Sequence, residues 1–565
     1  MHNKAIDMKT LAKKRIQSHP TKGASKTIHL KKANTLTSFL SEKERQEVVS
    51  LKITGFIGCK DFEDVLDEMC DVWSEYDEEG NYIPNYKDSA AIRILDLGEA
   101  TYVDGANLPY FGFRSQLETF ILPHGVKSTL DGDEYQTGLS ESEKLTTLVI
   151  PEGLKTIGGF NSCAKLKNLV LPDSLEEIKP FAFCGCASIS SIRIPASVRV
   201  LDGSCFCGCN LSAYEVDENN AYYTAIDGVV YTKDLSKLIA FPSAYPKRQF
   251  KIPETTRIIG NSAFMDSRIE AIELPEGLSV IEGCAFQNSS VKSVNIPDSI
   301  TEIGALAFRS CRELEHIHLS NGLIQLNSQL FESCPKLKKL DVPPSVRSIF
   351  YSAIAWCDGL EKLILHDGLE EIVDEGTMLG LNGQLREVVF PKTLKKVPGG
   401  VFNYSPCLTK FQIDPANPYF CIMDEALCSI DGKTLYSVPD YNRTSFVIPE
   451  GIEILAERAF AFLPKLQTIK LPSTLRVIES RAFQDCKSLK RIQIPASVVK
   501  VGIDALWSDN LRTIVIESAV PPEMTGLVRD DERKFRDVEL HVPHNALSLY
   551  MNSIGWRNFK IMDIE

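Results

Sequence analysis

Residues 166–186 read LKNLVLPDSLEEIKPFAFCGC. Apolar residues stand six, three and one positions before Pro172 (Leu166, Leu169, Leu171), and a second apolar pair follows three and six positions after it (Leu175, Ile178). An Ala-Phe pair comes next at plus ten and plus eleven (Ala182, Phe183), and a thiol closes the unit at plus fourteen (Cys186). The alternation of Leu169 and Leu171 is the period of a strand. Proline tolerates the strand end because it lacks the ladder donor.

The same pattern returns about every 23 residues along most of the chain, anchored at Pro151, Pro172, Pro195, Pro253, Pro275, Pro297, Pro343, Pro391, Pro449, Pro472, Pro495 and Pro543. Gly98, Pro123, Asp217, Ser320, His366, Asp414 and Glu517 fill the anchor in further copies. A fixed period of this length means stacked supersecondary units. One unit alone exposes most of its apolar face. Stacking gives each Leu, Ile and Phe a copy of itself about 4.8 Å above and below.

This unit, L-x-x-L-x-[LI]-P-x-x-[LVI]-x-x-I-x-x-x-A-F-x-x-C, resembles the BspA-like, or Treponema-type, leucine-rich repeat over residues 92–545. The resemblance implies an α/β solenoid: a leucine-rich-repeat horseshoe or arc with a parallel sheet on its concave face and short turns or helical segments on the convex side. Two interruptions fit it. Asn219-Asn220-Ala-Tyr-Tyr leads to Asp227-Gly228, and Asn417-Pro-Tyr419 leads to Asp431-Gly432. Asp-Gly between apolar alternations signals a hairpin, so β-hairpin insertions are expected near 218–250 and 415–446. Residues 1–34 read as a flexible leader, and 35–91 as an α/β cap. Within the cap, a helix is expected over 37–47, a strand over 48–54, a second helix near Asp61 and an acidic loop over 74–89. Tyr550, Trp556, Phe559 and Ile561 supply a C-terminal cap over 546–565, since open solenoid ends need covering.

The 565 residues carry a net charge of −13, which argues against nucleic acid as the main partner. A basic stretch (Lys9, Lys13, Lys14, Arg15, Lys22, Lys26, Lys31, Lys32) lacks interleaved aromatics and reads as a solvated N-terminus. No window reaches the apolar length of a membrane span. Family resemblance implies export or display on a bacterial surface, yet no signal-peptide h-region follows Met1. The chain is therefore expected at the cell surface if its start lies upstream, and in the cytoplasm if Met1 is the start.

Of sixteen cysteines, Cys163, Cys186, Cys209, Cys311, Cys334, Cys357, Cys407 and Cys486 fall at or near plus fourteen and are expected to be buried small apolar residues. Cys205 replaces the buried Ala. Cys184 and Cys207 sit at plus twelve, where Gln287, Arg309, Glu332 and Gln484 stand elsewhere. They are expected to be exposed and side by side, as a bridge in an oxidising compartment or as two thiols in a reducing one.

Phosphate-loop, dinucleotide, nucleophile-elbow and zincin motifs do not occur. No enzyme and no cofactor is expected. His316 and His318 with Asp341 form a weak metal candidate, better explained as polar residues on an open sheet. What remains is the outward stripe at minus two, joined by His316 at minus four: Arg193, Glu215, Lys251, Glu273, Asn295, His316, His318, Asp341, Ile364, Val389, Gln412, Lys470 and Gln493, with Val170, Val447 and Val515. This stripe is the candidate ligand-binding surface of a non-enzymatic scaffold for a protein or glycan, and adhesion is what the resemblance implies. An intracellular assembly scaffold is the alternative reading.

Overall fold

The computed structural model describes residues 24–70, 75–76, 82–83, 92–109, 116–130, 139–373, 380, 382–525, 535 and 537–564. The basic residues Lys9 to Lys22 and nearly all of the acidic loop over 74–89 lie outside them. The chain divides into two compact units, Met1–Glu270 with Ile281–Ser290, and Ala271–Val280 with Val291–Glu565.

In both units the chain is a parallel-strand solenoid with little helix. Each coil contributes a strand just before its anchor, and these strands pair in register. In the first unit Leu95 faces Phe120, Phe120 faces Leu148 and Leu148 faces Leu169. In the second, Leu340 faces Leu363, Phe446 faces Ile469 and Ile492 faces Ile514. Along the coil from 166 to 186 every apolar position of the repeat is buried, from Leu166 through Phe183 to Cys186. The anchor proline does more than end the strand. Its carbonyl accepts the N–H three residues on, as between Leu175 and Pro172 (3.1 Å) or Thr256 and Pro253 (3.0 Å), and this closes a turn.

A second parallel ladder, not read from the repeat, follows that turn. Two residues per coil suffice: Thr156–Ile157 pairs with Glu177–Ile178, and Gln325–Leu326 with Ser348–Ile349, which in turn pairs with Glu371–Ile372. Its second residue is the apolar plus-six position. A pair is too short to show alternation.

Beyond the second ladder the phenylalanines stack. Ring centroids lie 5.7 Å apart for Phe160 and Phe183, 5.3 Å for Phe183 and Phe206, 5.8 Å for Phe308 and Phe331, and 5.4 Å for Phe460 and Phe483, with planes within about 20°. Each buried ring contributes about 2–3 kcal/mol in transfer alone. Left-handed residues bracket the Ala-Phe pair. Plus nine carries Phe181 (φ 59°), Leu306 (63°), Gln329 (56°) and Arg481 (57°), while plus thirteen carries Gly185 (74°), Asp266 (58°), Ser310 (57°) and Asp485 (55°). Non-glycine residues pay about 1 kcal/mol for this backbone, and the buried pair between them offsets it.

Each insertion is a three-stranded antiparallel meander rather than a single hairpin. Tyr223–Ile226, Val229–Thr232 and Lys237–Ala240 form the first; Phe420–Met423, Ala426–Ser429 and Thr434–Ser437 form the second. The third strand turns parallel and joins the second ladder, Leu238 facing Ile259 and Leu435 facing Leu455. Both meanders start from a buried asparagine. Asn220 donates to the Pro195 and Val198 carbonyls (2.8 and 2.9 Å) and accepts from the N–H groups of Tyr222 and Tyr223 (both 2.8 Å). Asn417 repeats all four bonds with Pro391, Leu394, Tyr419 and Phe420.

At the N-terminal end, the stretch 24–30, expected within a flexible leader, is a strand, Ala24–Leu30. It pairs with Val48–Ile57, which in turn pairs with Ile94–Tyr102. Ile28 and Leu30 are buried, so alternation in a short apolar run outweighs the basic residues around it. Lys26 is fixed by Glu44 at 2.6 Å, and Glu44 closes a capping box with Ser41 over the helix Glu42–Glu47. The segment expected as one helix over 37–47 is a 3-10 turn, Leu36–Phe39, followed by that helix. At the other end Tyr550 and Trp556 are fully buried and bond the Ser518 and Pro522 carbonyls (3.0 and 2.7 Å).

Candidate ligand-binding face

Strand alternation turns the minus-two residues away from the buried Leu and Ile rows. In the first unit Arg193 pairs in register with Glu215. Arg193, Glu215 and Lys251 are exposed. Arg193 bonds Asp217, and reaches Asp173 at 3.4 Å. The Asn219 N–H, together with the Arg193 guanidinium, holds the Asp217 carboxyl below its ordinary range.

In the second unit Asn295 stands beside His318, Asp341 beside Ile364, Val389 beside Gln412 and Val447 beside Lys470. Glu273, Asn295, His316, His318, Asp341, Val389, Lys470 and Gln493 are exposed, whereas Ile364 and Gln412 are half-buried. Val515, read with the outward stripe, is buried. It stands opposite His541, which in turn stands opposite Met562, so two further strands extend the ladder beyond it.

His316 and His318 share one strand and flank Ile317. Asp341 hydrogen-bonds His366 (2.8 Å) and pairs with Lys339 (3.1 Å). Partial burial raises the Asp341 carboxyl, but those two partners outweigh it and leave the group below its usual range. Among the described residues there is no group of three or more His, Cys, Asp or Glu side chains arranged to hold a metal.

Beside the second insertion the face carries a groove. The tip of the meander, Asp424 and Glu425, overhangs the strands Ser445–Val447 and Thr468–Lys470 and leaves an open groove of about 550 Å³. Val447 lies on its floor, 62% exposed. Arg443 braces the wall: it pairs with Glu425 and Asp440, and its guanidinium lies 5.0 Å from the centre of the Phe446 ring. Lys470 and Glu450 also line the groove. A smaller apolar cavity of about 30 Å³, lined by Trp507, Met524, Phe535 and Phe559, belongs to the packing of the C-terminal cap.

A family model described as the BspA type leucine-rich repeat region, in six copies, matches residues 110–230, 237–361, 320–420 and 430–522. That is more than half of the chain. This protein belongs to the BspA-type leucine-rich repeat family.

Among solved structures, the chain is similar to a leucine-rich repeat protein from Eubacterium ventriosum at 17% identity, covering 71% of this chain and 88% of that one with a TM-score of 0.36. A leucine-rich repeat protein from Bacteroides ovatus is 20% identical over 69% and 88% of the two chains, with a TM-score of 0.38. A leucine rich cell surface protein from Faecalibacterium prausnitzii is 20% identical over 61% and 94%, with a TM-score of 0.42. No curated protein matches the chain. Among the described residues no helix is long and apolar enough to cross a membrane.

In this BspA-type stack the plus-fourteen cysteines are buried, except the half-buried Cys407, which follows Pro406 in a coil of shifted spacing. Plus twelve, expected to be exposed, is not. Gln287, Arg309, Glu332, Gln484 and Cys184 are half-buried, and Cys207 is buried, because it closes the 3-10 turn Gly203–Phe206 with Cys184 packed against it. The expected adjacency does hold, with the two sulfurs 2.8 Å apart. Sequence reading missed Asp424, Glu425 and Arg443. Asp424 and Glu425 lie in an insertion outside the repeat register, and Arg443 stands at minus six of Pro449, a slot that other coils fill with a buried Leu or Ile, so no slot assigned them to the face. The available signal was Glu425 itself, standing where the first meander has Gly228 and keeping a left-handed φ of 70° there.

Proposed function

We propose that this chain is a non-enzymatic recognition scaffold whose outward strand face binds a protein ligand, in an adhesive contact at a cell surface. The observation that carries the reading is Val447, a large apolar side chain left mostly exposed on the floor of a groove whose rim is charged and braced. An apolar centre inside a polar rim is the anatomy of a protein interface. The repeat supports the same reading, since inward positions recur as Leu, Ile and Phe while outward ones change from His318 to Asp341 to Ile364. Chemistry that differs from coil to coil on a constant frame is a means of specificity. A glycan calls for aromatic platforms, and the stripe from Arg193 to Gln493 has none.

The test is binding to arrays of purified cell-surface and matrix proteins and of glycans, with Val447→Glu against the control Glu523→Lys on the second ladder. A protein ligand whose affinity falls about tenfold in the first variant and is unchanged in the second supports the proposal; tenfold is about 1.4 kcal/mol. Binding to glycans alone, no binding, or equal loss in both variants overturns it.

A further inference from the structure

Cys184 and Cys207 occupy the same slot of adjacent coils, and backbone hydrogen bonds on either side of them lock the register: Phe183 N–H to Cys205 O (2.9 Å) and Gly185 N–H to Cys207 O (2.8 Å). Neighbouring coils are about 4.8 Å apart, inside the roughly 4.4–6.8 Å that a disulfide accepts between Cα atoms. The two sulfurs already approach to 2.8 Å, against about 2.05 Å for a formed bond. Little backbone movement separates the two states.

Among the other thiols on this side of the coil, Cys186 also meets a second thiol, Cys163, but both members of that pair are buried. Cys186 donates to the Phe160 carbonyl (3.1 Å), Cys209 to the Phe183 carbonyl (3.2 Å) and Cys205 to Lys179 (3.2 Å). Cys184 and Cys207 point at each other, and theirs is the pair with a half-buried member. They also differ in access, Cys184 being half-buried and Cys207 only 3% exposed. Each is followed by glycine, where other coils carry Asp266, Asn288, Trp356 or Phe462; the side chain that faces this corner is Asp266 of the following coil, whose carboxylate lies beside Gly208 and raises both thiols.

We propose that Cys184 and Cys207 form a redox-active dithiol, with Cys184 the attacking and Cys207 the resolving thiol, that exchanges with low-molecular-weight disulfides of the glutathione class. The Cys184 thiolate attacks one sulfur of the small disulfide, forming a mixed disulfide and releasing one thiolate. Cys207 then loses its proton and attacks the Cys184 sulfur, releasing the second thiolate. Two protein thiols are oxidised, one small disulfide is reduced to two thiols, and the two protons lost from the protein reach the two leaving groups. The division of roles agrees with the local hydrogen bond. Donation from Cys207 lowers Cys184 and outweighs both its burial and the nearby Asp266 carboxylate, while Cys207 itself is held protonated by that bond, by desolvation and by the same carboxylate. A more acidic, accessible thiol is the better attacker.

The experiment treats the reduced full-length protein with glutathione disulfide, alkylates the remaining thiols and maps them by mass spectrometry. Wild type is expected to gain a Cys184–Cys207 bond without a lasting adduct. Cys207→Ser is expected to stop as a glutathione adduct on Cys184, and Cys184→Ser to react at least a hundredfold more slowly at Cys207. Circular dichroism checks that each variant is folded, and if either is not, the wild-type map alone decides. A stable adduct on wild-type Cys184, linkage through other cysteines, or Cys184→Ser reacting at the wild-type rate overturns the proposal.

Discussion

The Cys334 thiol donates a 3.1 Å hydrogen bond to the carbonyl of Phe308, one coil earlier in the stack. Cys357 bonds Phe331 and Cys486 bonds Phe460 in the same way, also at 3.1 Å. The repeat therefore uses cysteine as a small buried donor between coils, and not only as filler. Cys334→Ser, which keeps a donor and places the residue that Ser267 and Ser289 supply at plus fourteen in other coils, is expected to change stability by less than about 1 kcal/mol. Cys334→Leu overpacks the site and is expected to cost about 1–3 kcal/mol. Urea midpoints compare the two.

The phenylalanine stack carries a larger share of stability. Phe308 is fully buried, and Phe308→Ala is expected to cost about 3–5 kcal/mol. Gln493→Ala on the outward face is expected to stay within about 0.5 kcal/mol. Equal shifts of the unfolding midpoint would show that inward and outward have been confused.

Asn417 is expected to be the least replaceable polar residue of the second insertion. Asn417→Asp keeps the shape but turns acceptor oxygens toward the Pro391 and Leu394 carbonyls in a buried site. A loss of about 3 kcal/mol or more is expected, with amide exchange rising first at Tyr419 and Phe420. Unchanged exchange there would remove the clamp from the account of the meander.

The corners of the coil make a prediction of opposite sign at two positions. Gly208 has φ 68° and a Cβ added there would lie 3.3 Å from the Gly185 nitrogen, so Gly208→Val is expected to cost at least about 1–2 kcal/mol. Arg481 holds φ 57° without being glycine, and its ion pair with Glu457 is a partly exposed contact at 3.5 Å. Arg481→Gly is expected to be neutral or to stabilise by up to about 1 kcal/mol, relief of backbone strain outweighing the lost surface pair and the freer unfolded chain. Thermal melts read both.

Acid is expected to loosen the N-terminal edge first. Glu44 is held down from its ordinary 4.5 to about 2 by the Lys26 ammonium and by the backbone and hydroxyl of Ser41. Because folding lowers this group, its contribution is complete above about pH 4.5 and is lost as the pH falls through about 2. Amide exchange in Ala24–Leu30 should rise over that window in wild type. In Glu44→Gln the rise should be absent, with exchange already faster at neutral pH.

How far the amino-acid pattern reached is clear from particular residues. Leu169, Leu171 and Phe183 were legible because an apolar residue recurring at one interval has one physical use, burial against its own copies. Ile178 was legible as buried but not as a strand, since two residues cannot show a period. Phe181 and Arg481 gave no sign of their left-handed backbone, because packing imposes it and no glycine announces it. On the face, Arg193, His318 and Gln493 followed from counting back from the anchor. The groove did not, since Asp424 and Glu425 come beside Val447 only after the meander folds back, and Arg443 takes a minus-six slot that other coils fill with a buried Leu or Ile.

The two meanders share more than a shape. Pro195 and Pro253 flank the first, Pro391 and Pro449 flank the second, and the interval between the flanking prolines is the same. Because the third strand of each pairs with the next coil, the second ladder runs on after a meander, while the first-ladder strands on its two sides, Tyr214–Val216 and Gln249–Lys251 or Lys410–Ile413 and Ser445–Val447, belong to separate sheets. A meander with its two bordering coils is thus a transferable cassette. Duplicating or deleting it as a block keeps the second-ladder junction after it intact, whereas cutting inside it strands the asparagine clamp. Length and decoration in such a chain can therefore be inherited together, in one genetic event.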